Sequence, residues 1–461
     1  MLKNAEAKRI HFIGIGGAGM SAIAKVLLEI GYQISGSDLK ESRNTLRLSN
    51  LGAKVNIGHH PSNVEGADMV VVSSAIPSNN CELRYACENG IPVLRRAEML
   101  AKLSEDKIAI AVAGTHGKTT TTSMISMVFQ KNHLDPTFLI GGELNDIGSN
   151  AKYGKGDFVV AEADESDGSL LYLKPEIIVL TNIEPDHLDY YQTFDRIQEV
   201  FLKFITGLPE EGYGVVCGDH PNVQKLLERT DHKCITYGLR EGNDFYVSDI
   251  ELEKFSSSFQ VYKADKKLGK VSLHIPGIHN IYNAMATIAL SMSIGLSFEA
   301  ISDVLSQFKG VQRRYQLVGS QNGITLIDDY AHLPTEVKVT LETAREGDWS
   351  RIICLFQPHR FSRTKFLSRE FADAFEDADL VILTDVYGAG EEPIPGVSGK
   401  LILEAVLQSD PKSQVAYLPT KSEAKRFLAS IVEDGDLVLT MGAGDIWIVG
   451  QELLESLGQT T

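Results

Sequence analysis

The stretch Gly114-Thr115-His116-Gly117-Lys118-Thr119-Thr120 carries the residue types that hold a nucleoside triphosphate. It lies between an apolar run ending at Ala113 and a helical pattern, where backbone N–H groups and a helix N-terminus cradle phosphate. Lys118 is placed to reach the terminal phosphates and Thr119 to put its hydroxyl on Mg²⁺. Val112 stands where the full phosphate-loop pattern has its leading glycine, so the loop is a shortened variant. The plain alternative is a capped helix behind a glycine turn. A triphosphate also needs metal ligands, and polar clusters close two later apolar runs, in AEADESD and TNIEPDHLDYY. The ends of adjacent parallel strands meet at one edge of a sheet. Glu162 and His187 are therefore candidates to hold Mg²⁺ or Mn²⁺ with Thr119, directly or through water. Taken singly, an acidic run is a solvated loop and a lone histidine a structural one; two such clusters beside a phosphate loop favour the metal.

A second loop competes for the same chemistry. In IHFIGIGGAGMSAIAKVLLEIG, Gly14, Gly16 and Gly19 give G-x-G-x-x-G between a short strand and a helix, and Asp38 follows at the distance where such folds set a carboxylate on a ribose. Alone, this spells a nicotinamide-dependent oxidoreductase. That reading leaves GTHGKTT and EADESD without work, and an ATP-fuelled sensor leaves the arginines of FQPHRFSRT unused.

These residues need rigid strands and helices behind them. Short apolar runs alternate with helical patterns almost throughout, the signature of parallel α/β sheets. The 461 residues divide into three blocks, 1–105, 106–318 and 319–461. The polar alternation between Asp244 and Gly277 predicts a small antiparallel β insert in the middle block. Lys and Arg number 44 against 61 Asp and Glu, a net charge of −17, which repels nucleic acid and anionic lipid. Phosphate must then be held locally. Five scattered cysteines without a C-x-x-C pair indicate neither a disulfide frame nor a zinc site. No apolar run approaches the roughly 18 residues of a membrane span, so a cytoplasmic protein without membrane insertion is expected.

Seven stretches together, HFIGIGGAGMSAIA, GTHGKTTTT, EADESD, TNIEPDHLDYY, PGIHNIYNAMA, DDYAHLPTE and FQPHRFSRT, resemble the Mur ligase family, in its alanine-adding branch. They run from Ile10 to about Glu391. GTHGKTTTT alone indicates only the wider superfamily with folylpolyglutamate synthases; the N-terminal glycine run, EADESD and FQPHRF narrow it. The resemblance implies three domains: a Rossmann-like UDP-binding domain, a central phosphate-loop ATPase domain, and a Rossmann-like C-terminal domain. It implies ATP, UDP-N-acetylmuramate and L-alanine as small-molecule substrates, with an acyl phosphate as intermediate. A ligase attaching a whole peptide to the same sugar is the nearest alternative.

By the same resemblance, Gly16, Gly17, Ala18 and Gly19 touch the UDP diphosphate, so the first loop serves a UDP-sugar rather than NAD, and Asp38, Ser73 and Ser74 lie near ribose, uracil or sugar. The loop from Gly114 to Thr120 holds ATP, adenine lies near His279 and Asn283, and Arg314 and Asp329 engage phosphate and ribose. Lys118, His187 and His332 are the catalytic candidates, with His187 on a second metal and His332 orienting carboxylates. His359, Arg360 and Arg363 offer guanidinium forks to the amino-acid carboxylate, and Tyr330 closes that pocket. Sister ligases carry a carbamylated lysine in the helix after the DH motif. Here Phe201 takes that register and Lys203 is misaligned, so none is expected.

Overall fold

The computed structural model describes residues 8–144, 149–166 and 168–458; Asp167, the last residue of EADESD, lies outside them. Three sheets carry the chain. The first, in the order β3-β2-β1-β4-β5, is wholly parallel: β1 Arg9–Ile13, β2 Gln33–Asp38, β3 Lys54–Ile57, β4 Met69–Val72 and β5 Val93–Arg95. The order reverses between β1 and β4, and a crevice opens beyond their carboxyl ends at such a switch point. Gly14 follows β1 there with φ 81°, a backbone that glycine alone adopts without strain, and a Cβ on it would lie 3.2 Å from Ser73, just past β4.

The second sheet has ten strands, β15-β14-β13-β12-β11-β10-β6-β9-β7-β8. They are β6 Ile108–Ala113, β7 Thr137–Leu144, β8 Ser149–Lys152, β9 Phe158–Glu162, β10 Ile177–Leu180, β11 Tyr213–Cys217, β12 Cys234–Tyr237, β13 Phe245–Glu253, β14 Ser256–Lys263 and β15 Lys266–Leu273. The strands from β12 to β7 pair in parallel, and β8 returns antiparallel on β7. The polar alternation does form strands joined by two-residue turns. The insert also extends the large sheet: β13 pairs with β12, because the edge of a parallel sheet still offers unpaired backbone groups.

The third sheet, β16-β17-β21-β18-β19-β20, comprises β16 Gln316–Gln321, β17 Ile324–Asp329, β18 Arg351–Phe356, β19 Leu380–Leu383, β20 Val415–Tyr417 and β21 Asp436–Met441. It is parallel except for β16, which turns back on β17. Strands β17 and β21 are buried at every position, as expected of strands covered on both faces.

Packing divides the chain into two compact units. One runs to Asp249 and adds Phe259–Val271 and Tyr282–Phe308; the other holds Ile250–Ser258, Ser272–Ile281 and the chain from Lys309 on. In the first unit, α1 (Ala18–Ile30) buries Ile23, Val26 and Leu27 in one cluster with Leu139 and Ala151 of the second sheet, so the two N-terminal sheets share a core. Helices α2 (Arg43–Asn50), α3 (Cys81–Glu88) and α4 (Arg96–Ser104) complete the first layer. Phe201 is 2 % exposed in the core of the helix Phe194–Thr206, and Lys203 points to solvent.

A buried polar knot fixes the end of β2. Glu82, at the start of α3, accepts hydrogen bonds from Ser37, from Asn63 at 2.7 Å and from the His60 N–H at 3.1 Å, with His59 at 3.3 Å and His11 at 3.5 Å. Burial pushes the carboxyl up, but the hydrogen bonds from His11, Ser37, Asn63 and His60 outweigh it and bring it from 4.5 to about 2. A folded-state value below the unfolded one gives stability that is complete above about pH 4.5 and lost as pH falls toward 2. Glu82→Gln is expected to cost about 2–3 kcal/mol at pH 7. The gap to wild type should close between about pH 4.5 and 2 in denaturant melts; a gap independent of pH would reject the ionised knot.

Candidate active site

The phosphate loop leaves β6 and enters α5 (Lys118–Lys131) through Gly117, at φ 79°. Gly114, at φ 132°, sits so close to β10 that a Cβ would lie 2.1 Å from the Thr181 hydroxyl. The end of β10 holds the loop. Asn182 Oδ1 accepts from the His116 N–H at 2.8 Å, and Thr181 Oγ1 donates to the His116 carbonyl at 2.6 Å. Thr115 Oγ1 accepts from the Glu184 N–H at 2.9 Å, while the His116 ring lies 3.1 Å from the Glu184 carboxylate. The threonine run suits a helix here because its hydroxyls have carbonyls four residues back: Thr122 bonds Lys118 and Ser126 bonds Thr122. Thr120 is buried in the same turn. Thr121 donates to Asn283 Oδ1 at 3.0 Å, and a Cβ on Gly117 would meet that same oxygen at 2.5 Å. Asn283 thus backs the loop directly.

Lys118 folds back over the loop. Its Nζ lies 2.5 Å from the Gly114 carbonyl, 3.1 Å from that of Thr115 and 2.7 Å from Glu165 Oε1. Burial alone would push Lys118 down and Glu165 up, toward a neutral pair. The close contact, with Asp164 and Glu162 behind it, instead holds Lys118 above its ordinary value. Glu165 Oε2 is buried with no hydrogen-bond partner among the described residues, and its carbonyl accepts from Tyr191 OH. The sequence reading missed Glu165, which was visible only as one carboxylate in an acidic run.

Thr119 and Glu162 come together as expected: the hydroxyl donates to the carboxylate at 3.2 Å. Glu162 also accepts from the Gly141 N–H at 2.6 Å. His187 begins the short helix Leu188–Tyr191 at φ 53°, with Nε2 3.2 Å from Asp186. No group of three or more His, Cys, Asp or Glu gathers into a metal-binding set among the described residues. A hydroxyl and a carboxylate side by side are hard oxygen donors of the kind Mg²⁺ takes, with phosphate and water completing its shell.

At the first loop, Asp38 Oδ2 accepts the Gly16 N–H at 2.8 Å, and Asn44 donates to the Gly16 carbonyl at 2.8 Å. Gly17 caps α1, and Ala18 and Gly19 form its first turn. Ser73 lies beside Gly14, and Ser74 is exposed in the following turn.

The second unit carries the remaining candidates. Asp329, ending β17, accepts from the N–H groups of Tyr315 at 2.6 Å and Ala331 at 2.7 Å. Burial raises it to about 6 against the pull of Arg314. Burial, helped by Arg314, lowers His279 to about 4, and His279 Nδ1 is buried without a partner among the described residues. Arg313 and Arg314 both lie over the Tyr330 ring, at 5.2 and 5.3 Å. Arg313, missed in the sequence, binds Asp328 at 2.8 Å. His332 lies 3.2 Å from Glu336 and packs on Tyr330 and His359. His359 stacks on Tyr387, and its Nδ1 faces Arg363 Nη1 at 3.1 Å. Arg360, at φ 67°, begins the helix Phe361–Leu367 beside them. The structure therefore gathers Tyr330, His332, His359 and Arg363 into one cluster.

These sheets, the phosphate loop and its carboxylates define a nucleotide-dependent α/β enzyme. Three family models cover the chain: Mur ligase family, catalytic domain, over residues 9–108; Mur ligase middle domain, over 112–291; and Mur ligase, glutamate ligase domain, over 313–444. The chain is 51 % identical over 99 % of both lengths to the UDP-N-acetylmuramate–L-alanine ligase of Desulforamulus reducens. It is 49 % identical over 98 % of both to that of Pelotomaculum thermopropionicum. A solved UDP-N-acetylmuramate–alanine ligase of Thermotoga maritima superposes with a TM-score of 0.83 at 29 % identity, covering 98 % of this chain and all of the other. The chain belongs to the Mur ligase family, and within it to the alanine-adding ligases. Among the described residues, no helix is long and apolar enough to cross a membrane.

Proposed function

We infer that the protein is an ATP-dependent ligase that joins L-alanine to the lactyl carboxylate of UDP-N-acetylmuramate, a step of peptidoglycan precursor synthesis. The observation that supports it best is the half-buried Lys118 paired with Glu165 beside the Thr119–Glu162 pair, in a chain about half identical to such ligases along its whole length. ATP and a UDP-sugar as substrates fit a cytoplasmic setting.

A carboxylate is a poor electrophile, so the lactyl carboxylate first takes the γ-phosphoryl group of ATP, giving an acyl phosphate and ADP. Lys118 neutralises charge on the transferred group, and such electrostatic stabilisation is what chiefly speeds phosphoryl transfer. Thr119 and Glu162 would hold Mg²⁺ and His187 a second ion, which supply further positive charge when bound. The neutral amine of alanine then attacks the acyl carbon to form a tetrahedral intermediate, whose collapse breaks the bond to the phosphate oxygen and expels inorganic phosphate, the nitrogen giving up a proton. In this reading residues 1–105 carry the UDP-sugar, 106–318 carry ATP, and 319–461 carry the amino acid, with His359, Arg360, Arg363 and Tyr330 as its pocket and His332 orienting carboxylates beside it. His279, Asn283, Arg314 and Asp329 serve the nucleotide.

The test is ADP release with each substrate omitted in turn, beside thermal melts. At 100 times its Kd, UDP-N-acetylmuramate should stabilise the fold by about 2.7 kcal/mol, and NAD or NADP should give nothing. Equal stabilisation by NAD, or ADP release that needs a peptide in place of alanine, would overturn the assignment.

A further inference from the structure

Arg96, the first residue of α4, reaches two motifs distant in sequence. Its Nη2 donates to Asp164 Oδ2 of EADESD at 3.1 Å, its sole hydrogen bond among the described residues. Its other edge lies over the glycine loop: a Cβ built on Gly19 would stand 3.1 Å from Arg96 Cδ, 3.2 Å from Nη1 and 3.6 Å from Nε. The third glycine of the fingerprint ordinarily allows close helix–strand packing. Here its missing side chain makes room for a guanidinium. The side chain is only 18 % exposed, so Nη1 is held in a confined place beside Gly19, the last glycine of that loop.

We propose that Arg96 is a diphosphate-binding residue: Asp164 holds its Nη2, and Nη1, the nitrogen nearest Gly19, donates to a phosphate oxygen of the UDP moiety. An arginine anchored at one nitrogen keeps its charge and a further N–H donor for phosphate, and hydrogen bonds between charged partners are the strong ones. This rests on the UDP-sugar reading and adds to it a side-chain cation from a helix that the fingerprint does not include. Asp164 is a positioning residue, acting on the ligand only through Arg96.

The test compares wild type, Arg96→Ala and Arg96→Lys in binding UDP, UDP-N-acetylglucosamine, UDP-N-acetylmuramate and uridine, by calorimetry or, for the weakest, ligand-observed NMR. Arg96→Ala should weaken the three diphosphates alike, by roughly 10- to 100-fold, and leave uridine within about twofold, since uridine has no phosphate to lose the contact. Arg96→Lys, which keeps a charge but has one nitrogen where arginine reaches Asp164 and phosphate from two, should fall between. With the alanine variant, KM for UDP-N-acetylmuramate should rise more than kcat falls. Equal loss for uridine would make Arg96 merely structural, and loss confined to the muramyl sugar would move its contact to the lactyl carboxylate; either overturns the proposal. Wild type that binds none of the UDP ligands would instead bring down the UDP-sugar reading itself.

Discussion

Lys118→Ala is expected to lower turnover by roughly 10²-fold or more while UDP-N-acetylmuramate still binds, because it removes one preorganised charge that acts mainly in the transition state. The variant has a second consequence. Glu165 faces Lys118 at 2.7 Å and is buried, so the deletion leaves an uncompensated carboxylate, and breaking a buried pair from one side costs about 3–5 kcal/mol. Lost activity alone would therefore confuse catalysis with unfolding. The double variant Lys118→Ala/Glu165→Gln removes the stranded charge. It should recover most of the thermal stability and none of the turnover, measured as ADP release beside a melting curve. A double variant with near-normal ADP production would place phosphoryl transfer away from this loop.

The phosphate loop was legible because its chemistry is local: strand, glycine turn, lysine, threonine and helix occupy consecutive residues, and all lie where expected. Glu162 was legible for a similar reason, since it ends a strand next to β6 and only one register lets it meet Thr119. Its neighbours were not. Asp164 and Glu165 look alike in the sequence, yet one turns to Arg96 and the other to Lys118, and the direction of a side chain in a loop after a strand follows from what packs on it. The first loop shows another limit. G-x-G-x-x-G announces phosphate at a helix start but says nothing of which ligand, and the use of Gly19 to admit Arg96 depends on a helix 77 positions away. The polar alternation after Asp244 gave the strands of the insert but not the edge they join, because period-two patterning gives the pleat of a strand and not its neighbour. In the second unit, the paired arginines of VQRRYQ were split by geometry: Arg313 takes positive φ and binds Asp328, and Arg314 acts on Asp329 and His279.

Arg363→Ala is expected to raise the alanine KM by roughly 30-fold to several thousandfold, the equivalent of about 2–5 kcal/mol for stranding one member of a buried charge pair. The geometry favours Arg363 as the fork. Burial, with His332, Arg363, Arg360 and Arg313 around it, lowers His359 to about 3, so the imidazole is neutral at physiological pH. Its Nδ1 then accepts from Arg363 Nη1 at 3.1 Å, which fixes the tautomer with the proton on Nε2. Stacking on Tyr387 holds the ring in turn, so the guanidinium is oriented before substrate arrives and little ordering is left to the binding step. Because activation of the muramyl carboxylate by ATP precedes amine attack, KM values for ATP and UDP-N-acetylmuramate should change little. Arg363→Lys keeps the charge and loses the bidentate fork, and should fall between wild type and the alanine variant. Glycine and serine should retain some activity in the wild type, since a methyl-sized difference in a small pocket is worth only about 1–3 kcal/mol. The measurement is steady-state kinetics with alanine varied at saturating ATP and UDP-N-acetylmuramate; an unchanged alanine KM and turnover in Arg363→Ala would move the carboxylate contact to another residue of the cluster.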